Sequence, residues 1–490
     1  MPRILVLMPL GSEVRQFGHS GLLAKLLDRG WEVVAAPKII DEDIRSQLDP
    51  RVTLIEMPSG QVPFSLGQAL TILDRAHAFK EARRGGSGWE YLRSRARNNK
   101  QRLLFATERG IGCLLSRSSY GMEMARSFEK RLLHRLADPH WLESLRNLRP
   151  DIMLINVPRV IQLAPALSAA DRLGVNTVLL YHTWKDVSAS GRLNHEFSRL
   201  GVWNGRMRAD LLRQNPWLPA ERVEVAGCTH FSCVGRKDWL LTEAELRARL
   251  GARPSSQLLF FPASAPWLVP EEERYIRLLR TVIANGKGAP DFQIIVRTNP
   301  MDETGLLAET LKADFPDVLV AKPDWRWDKR RNWCFQRRGD LLLYNSLLHY
   351  SAAAVGVPST VAVEGAIADL PTVNLGFDLP GPLPQTGSLR RFWDADFYES
   401  VRGAGAVTLA SNPAELCEQV RRAISEPSRL SEGRRRLVEW QLGVAPHSSV
   451  DAAIRVLENV AAGAKTLRAH AGDPGSVKGC YSRHAGALHS

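Results

Sequence analysis

Ala354-Val-Gly-Val-Pro-Ser-Thr-Val-Ala-Val-Glu-Gly-Ala-Ile-Ala-Asp-Leu-Pro371 is the stretch from which the fold reads most directly. An apolar strand over Ala353–Gly356 ends in Gly356 and Pro358, and a helix opens at Ser359-Thr360. A second apolar strand, Thr372–Leu375, follows Pro371. Strand, tight loop, helix and strand in this order make one unit of a parallel α/β sheet. Backbone N–H groups left free at the start of such a helix, with the two hydroxyls, form an anion site suited to a diphosphate. Glu364, one turn into the helix, is then placed to accept hydrogen bonds from ribose hydroxyls; a helix-capping serine beside a solvated glutamate is the plainer alternative.

The same alternation extends both ways. Upstream lie strand Leu258–Phe261, helix Pro270–Ala284, strand Phe292–Val296, helix Glu303–Ala313, strand Val318–Val320 and helix Leu341–Tyr350. Downstream come strand Ala406–Leu409 and helices over 412–424, 429–442 and 449–462. An earlier set contains strand 3–7, the loop Pro9–Gly18, a helix with Leu22, Leu23, Leu26 and Leu27 on one side, and strand Glu32–Ala36. It resumes with strands Ile152–Asn156, Asn176–Tyr181 and Val223–Ala226. Leu250–Pro254 reads as a linker. The expected organisation is two Rossmann-like halves, 1–250 and 251–427, with a helical insert at 60–148. Helices over 428–463 are then able to cross back, and a disordered tail, rich in Gly, Ala, Ser and His, occupies 464–490.

Composition narrows the function. The 490 residues are 44% hydrophobic and 24% charged, ordinary globular usage. No apolar run reaches the roughly 18–20 residues of a membrane-spanning helix, and the opening apolar residues read as a buried strand rather than a signal peptide. Cysteines 113, 228, 233, 334, 417 and 480 have neither disulfide-framework nor zinc-site spacing, which fits a reducing cytoplasm. The net charge is +13, and Arg75–Arg149 alone holds 17 Lys/Arg against 7 Asp/Glu, a net +10. Leucines at helical spacing run through that block, so its charge can be a solvated face, a peripheral contact with anionic membrane, or a polyanion-binding face. No helix-turn-helix, RNA-recognition or zinc-finger pattern supports nucleic acid as the partner. A second basic run, Lys322–Arg338, interleaved with Trp325, Trp327 and Trp333, reads as a long functional loop.

Other loops at strand ends supply candidate chemistry. Neither GxGxxG opening a helix nor GxxxxGK[ST] occurs. In Val296-Arg-Thr-Asn-Pro300, Arg297 follows a strand and can pair with a phosphate, or else with a neighbouring carboxylate. Phe260-Phe-Pro-Ala-Ser-Ala-Pro266 offers Ser264 to a phosphate. In the first half, Glu13, Arg15 and His19 sit in or beside the first loop, and Tyr181-His-Thr-Trp-Lys-Asp186 adds His182 and Asp186. A general base for a substrate hydroxyl is expected among these, and histidine suits that role near neutral pH.

The segment Ser359-Thr-Val-Ala-Val-Glu364, with Pro371 beyond it, resembles the donor-nucleotide motif of the GT-B glycosyltransferases. The resemblance is to their bacterial surface-polysaccharide and lipid-linked-sugar branch, related to the CDP-glycerol glycerophosphotransferase-like proteins. Arg297-Thr-Asn-Pro300 resembles an Arg-Pro-His-Pro-like segment of that branch, departing from it at Thr298 and Asn299. Val14-Arg-Gln-Phe-Gly-His-Ser-Gly21 resembles the first acceptor-side loop, and His182-Thr-Trp-Lys-Asp186 is similar to a Ser-Trp-Asp-Asn-like segment. The resemblance implies two Rossmann-like domains facing a central cleft. The second binds a nucleotide-sugar donor through Ser264, Arg297, Ser359, Thr360 and Glu364. The first meets a glycan or lipid-linked acceptor hydroxyl through Arg15 and His182, with His19 and Asp186 as catalytic candidates. It implies metal-independent transfer without a cofactor, in the cytoplasm or at the inner face of the plasma membrane; separately, the placement of the charge in the block 75–149 suits docking on an anionic membrane surface. CDP-glycerol transfer and sugar-nucleotide epimerisation share the fold and remain as alternatives.

Overall fold

The computed structural model describes residues 1–471 apart from 59, 61, 83–98, 116, 159–160, 285–290, 303 and 382–386. Seven strands build the first sheet: β1 (Arg3–Met8), β2 (Glu32–Pro37), β3 (Thr53–Leu54), β4 (Ile152–Ile155), β5 (Asn176–Leu180), β6 (Arg199–Val202) and β7 (Val223–Val225). Their order is β3-β2-β1-β4-β5-β6-β7, and every pairing is parallel. The second sheet takes β8 (Gln257–Pro262), β9 (Phe292–Arg297), β10 (Leu319–Ala321), β13 (Ala353–Gly356), β14 (Thr372–Leu375) and β15 (Thr408–Ala410). It too is all parallel, ordered β10-β9-β8-β13-β14-β15. Between β10 and β13, β11 (Trp325–Asp328) and β12 (Trp333–Gln336) form an antiparallel hairpin.

Parallel strands covered on both faces must be apolar on both, and the alternation along β1 sorts its side chains into two cores. Ile4, Val6 and Met8 join one cluster with Leu22 and Leu26, while Leu5 and Leu7 join another. The closing helix, Ser449–Ala471, crosses back to the first sheet and inserts Val450, Ile454 and Leu457 beside Ile4 and Val6. The cluster holding Leu5 also takes in Leu258, Phe260 and Tyr344, so one apolar core runs through both domains.

Four expectations need correction. The loop Pro9–Gly18 closes into a π-helical turn, Val14–His19, in which Ser20 N–H reaches the Arg15 carbonyl at 3.2 Å. Single π turns of this kind recur at functional sites. Strands β3 and β6 were not apparent in sequence, because one is two residues long and the other, Arg-Leu-Gly-Val, carries a glycine that packs under Leu180. The tail expected from 464 is instead helix through Ala471, and 472–490 lie outside the described residues.

The fourth correction concerns the basic run Lys322–Arg338, which is the β11–β12 hairpin docked on the first domain. Trp333 is 1% exposed and its indole N–H donates to the Met8 carbonyl at 2.9 Å. Cys334 N–H donates to the Leu10 carbonyl at 3.1 Å. Gly11, at φ +90°, permits that approach, since a Cβ there would lie 2.0 Å from the Cys334 oxygen. The arginines face acidic residues of the first domain: Arg337 pairs with Asp43 at 2.7 Å, Arg326 with Asp41 at 3.3 Å and Arg331 with Glu56 at 2.9 Å.

Trp333 is therefore core of the first domain supplied by the second. Trp333→Ala should cost about 3–5 kcal/mol. The check is urea denaturation followed by far-UV circular dichroism, where a midpoint equal to wild type would mean that the hairpin does not tie the domains.

Candidate functional site

In an open parallel sheet the ligand crevice lies beyond the strand carboxyl ends, where strand order reverses. The first sheet reverses between β1 and β4, and the second between β8 and β13. The loops leaving those four strands carry Glu13 and Arg15, Asn156, Ser264, and Ser359 with Thr360. The two reversal points face each other. Arg15, from the π turn after β1, reaches across to Glu364 in the helix Val361–Ile367 after β13, Nη2 to Oε1 at 2.8 Å.

That contact anchors a buried cross-domain cluster. Tyr344 donates its hydroxyl to Glu364 Oε2 at 2.5 Å, and Arg15 Nη1 donates to Gln336 Oε1 at 3.4 Å. Gln336 in turn donates to Asp340 at 2.9 Å. The Arg15 and Arg297 guanidiniums stand over the Tyr344 ring at 5.9 and 5.2 Å. Burial and the neighbouring Glu364 carboxylate push the Tyr344 phenol well above its usual range, so the hydroxyl stays a donor.

Arg297 departs from the expectation of a free phosphate partner. It forms a two-pronged pair with Asp340, at 3.1 and 2.7 Å. Asp340 is wholly buried and also accepts from Asp324 N–H at 2.9 Å and the Trp325 indole at 3.0 Å. Burial alone would raise the Asp340 carboxyl, but Arg297 and these donors outweigh it and hold the group below its usual range. A buried carboxylate so satisfied keeps its arginine, because leaving either charge alone inside is costly.

Ser264, Ser359 and Thr360 lie on adjacent loops, with the Gly356 position in contact with Pro262. Ser264 is half-buried and its N–H donates to Glu272 at 2.8 Å. Ser359 is half-buried and Thr360 exposed. Two N–H groups expected to be free are engaged by Ser359 itself, Val361 on its Oγ at 3.4 Å and Ala362 on its carbonyl at 3.2 Å.

On the first-domain side, Gln16 is the organising residue. Its amide oxygen is met by His182 Nδ1 at 3.1 Å and by Asn156 at 2.9 Å. The His182 ring lies edge-on to His230, centroids 5.1 Å apart. His19 contacts Gln47 at 3.3 Å and Trp239 at 5.8 Å between centroids. Burial lowers both His19 and His182 to about 4, with the Arg15 charge adding to the effect. Both rings are thus neutral near pH 7 but weakly basic, unlike the neutral-range base expected. Asp186 sits half-buried on the next short helix, Lys185–Ser190, apart from the Arg15–Glu364 cluster in the contacts described.

Glu13 is the remaining first-loop candidate for the base. It is fully buried; Oε2 accepts from Gly11 N–H at 2.7 Å and Leu10 N–H at 3.3 Å, and the Asn156 side chain lies beside the carboxyl. Burial lifts its carboxyl from 4.5 to about 7. Asp340, Tyr344 and Asn345 were detectable as polar interruptions of the otherwise apolar helix Arg338–Tyr350. A cavity of about 720 Å3 opens elsewhere between the domains, beside Trp184, Arg206 and Phe397, and none of the nine expected site residues lines it.

Glu13 generates a pH prediction. Folded Glu13 holds its proton up to about pH 7, whereas the unfolded carboxyl loses it near 4.5. Its contribution is therefore fully present below pH 4.5 and is lost as pH rises through 7. Glu13→Gln should gain stability over wild type across that window by on the order of 3 kcal/mol, then level off. Denaturation midpoints of both proteins at several pH values test this, and a constant difference would refute it.

No protein-family model matches the chain, and no curated protein matches it in sequence. Solved structures do match in fold. The UDP-GlcNAc 2-epimerase of Methanocaldococcus jannaschii superposes with a TM-score of 0.54 at 12% identity, covering 94% of this chain and all of that one. The Neisseria meningitidis UDP-GlcNAc 2-epimerase, solved bound to UDP-GlcNAc, gives 0.52 at 11% identity over 93% of this chain and 100% of its own. A glycosyltransferase from Rickettsia africae gives 0.50 at 10% identity over 94% and 98%. With two parallel sheets joined at their reversal points and this neighbourhood of solved structures, the chain has the GT-B fold.

Proposed function

We propose that the chain is a nucleotide-sugar enzyme, and specifically a glycosyltransferase that moves a sugar from a nucleotide diphosphate to a hydroxyl of a glycan or lipid-linked acceptor. The observation that carries the reading is the meeting of the two reversal points across Arg15 and Glu364, where this architecture places its ligand. The donor diphosphate lies against Ser264, Ser359 and Thr360, and its ribose engages Glu364 once Arg15 releases that carboxylate. Arg15 then turns to the diphosphate and stabilises the charge that develops as the sugar–phosphate bond breaks. The acceptor oxygen attacks the anomeric carbon, the diphosphate leaves, and the hydroxyl proton passes to a base. Glu13, with a proton affinity near neutrality, suits that task better than His19. Arg297 acts indirectly, by fixing Asp340 and through it Gln336.

Epimerisation of a sugar nucleotide is the second reading, favoured by the UDP-GlcNAc 2-epimerases that recur among the similar structures. It uses the same donor site and no acceptor.

Titration calorimetry with UDP, CDP, GDP and dTDP should find one that binds, and Glu364→Ala should weaken it at least about tenfold, the loss of a charge-assisted hydrogen bond. Binding of none of the four, or an unaltered affinity in the variant, would sink the site. Incubation of the preferred sugar nucleotide alone separates the two readings: isomerised sugar means an epimerase, and release of nucleotide that depends on added acceptor means a transferase.

A further inference from the structure

Of the twelve large apolar side chains that stand exposed among the described residues, six sit on two successive helices of the insert. Leu103, Ile111 and Leu114 lie on Asn99–Leu115, and Tyr120, Met124 and Phe128 on Ser119–His134. Tyr120, Met124 and Phe128 recur every four residues, and Leu103, Ile111 and Leu114 are spaced by eight and three. At 100° per residue each trio falls within one stripe about 80° wide. These are not side chains awaiting a neighbour within the fold. The first helix already packs against Phe64–Ala82, where Gly112 meets the Ala76 backbone. The second is held from behind by Ser168, whose hydroxyl donates to the His134 carbonyl at 3.0 Å. The apolar stripes are what those packed helices leave outward.

Charge says what covers them. Arg131 and the C-cap residue Arg135 continue the line of Tyr120, Met124 and Phe128; both are exposed, neither is in an ion pair among the described residues, and both border a cavity of about 1030 Å3 shared with Asp171 and Glu196. Lys130 beside them, 66% exposed at its side chain, already pairs with Glu196 at 3.0 Å. Residues 99–135, which hold the two helices, carry eight Lys/Arg against three Asp/Glu, a net +5. Pairing this face with a second copy would set that charge against itself, whereas an anionic interface would neutralise it. The two basic runs of the chain thus differ in kind: the arginines of 326–337 meet Asp41, Asp43 and Glu56, while Arg131 and Arg135 meet nothing of that sort.

We propose that the helices 99–115 and 119–134 form a docking surface for an anionic lipid bilayer, with the six apolar side chains entering the acyl boundary and the adjoining basic residues meeting lipid phosphates. Amphipathic helices with this division of labour lie in the plane of the interface. No helix among the described residues is long and apolar enough to cross a membrane. The inference stands apart from the nucleotide reading, and its test uses no catalysis.

The full chain is sedimented with vesicles of phosphatidylcholine alone and of equal parts phosphatidylglycerol and phosphatidylcholine. Wild type should bind the anionic vesicles at least about tenfold better and release them as salt is raised. Met124→Glu with Phe128→Glu should lose binding to both, and Arg131→Gln with Arg135→Gln should lose the preference for anionic lipid. Leu306→Glu, an exposed apolar position outside the insert, should bind as wild type. Circular dichroism confirms that each variant folds. The proposal is overturned if wild type binds neither vesicle, if it binds both equally, or if the Met124/Phe128 variant binds unchanged. A dimer dissociated by Phe128→Glu, with no vesicle binding, would give the face to a second copy and overturn it as well.

Discussion

Two opposite charges taken out of water hold each other in place more firmly than any single apolar contact, because neither can be left behind. Arg15 and Glu364 stand in that relation across the boundary between the two sheets, and Arg297 and Asp340 repeat it one layer further into the second domain. Gln336 connects the pairs, giving to Asp340 and receiving from Arg15. Every member must keep its partner, so the relative position of the domains is part of the cost of burial. The docked hairpin serves the same end with apolar surface, since Trp333 belongs to the second domain by sequence and to the first by packing.

This arrangement changes what a binding cleft means here. The nucleotide site expected at the second sheet's reversal point is occupied by the protein's own groups: Glu364 by Arg15 and Tyr344, and the helix start in part by Ser359. A ligand with a phosphate for Arg15 and hydroxyls for Glu364 would replace one ion pair with a new ion pair and hydrogen bonds to the carboxylate. The Arg15–Glu364 pair is thus chemically suited to be exchanged.

How much of this was readable in sequence depends on distance along the chain. Strands such as Thr372–Leu375 and Ala353–Gly356 announce themselves by local apolar runs between turn residues, and the structure places both at the residues read. The significance of Glu364 was visible because the motif around it is local. Arg297 was conspicuous at the end of β9 for the same reason, but its partner Asp340 is 43 residues away and only tertiary contact reveals it. The hairpin 325–336 looked like a loop because its two alternating stretches, Trp325–Asp328 and Trp333–Gln336, are only four residues long and are split by Lys329–Asn332; the logic of its tryptophans and arginines lies in Met8, Asp41, Asp43 and Glu56. Histidine basicity failed to read for a physical reason of the same sort. Burial and a positive neighbour decide it, and neither is written beside His19 or His182.

The crossing of the closing helix sets the order in which the molecule can be completed. Ile4 and Val6 emerge from the ribosome long before Val450, Ile454 and Leu457, which make one wall of their core. The first sheet must therefore wait, one face uncovered, until the helix from Ser449 has been synthesised. Contacts closed over so long a stretch of chain form late and leave apolar surface exposed meanwhile. A nascent chain of this kind is a natural client for chaperones, and the domain written first is the one finished last.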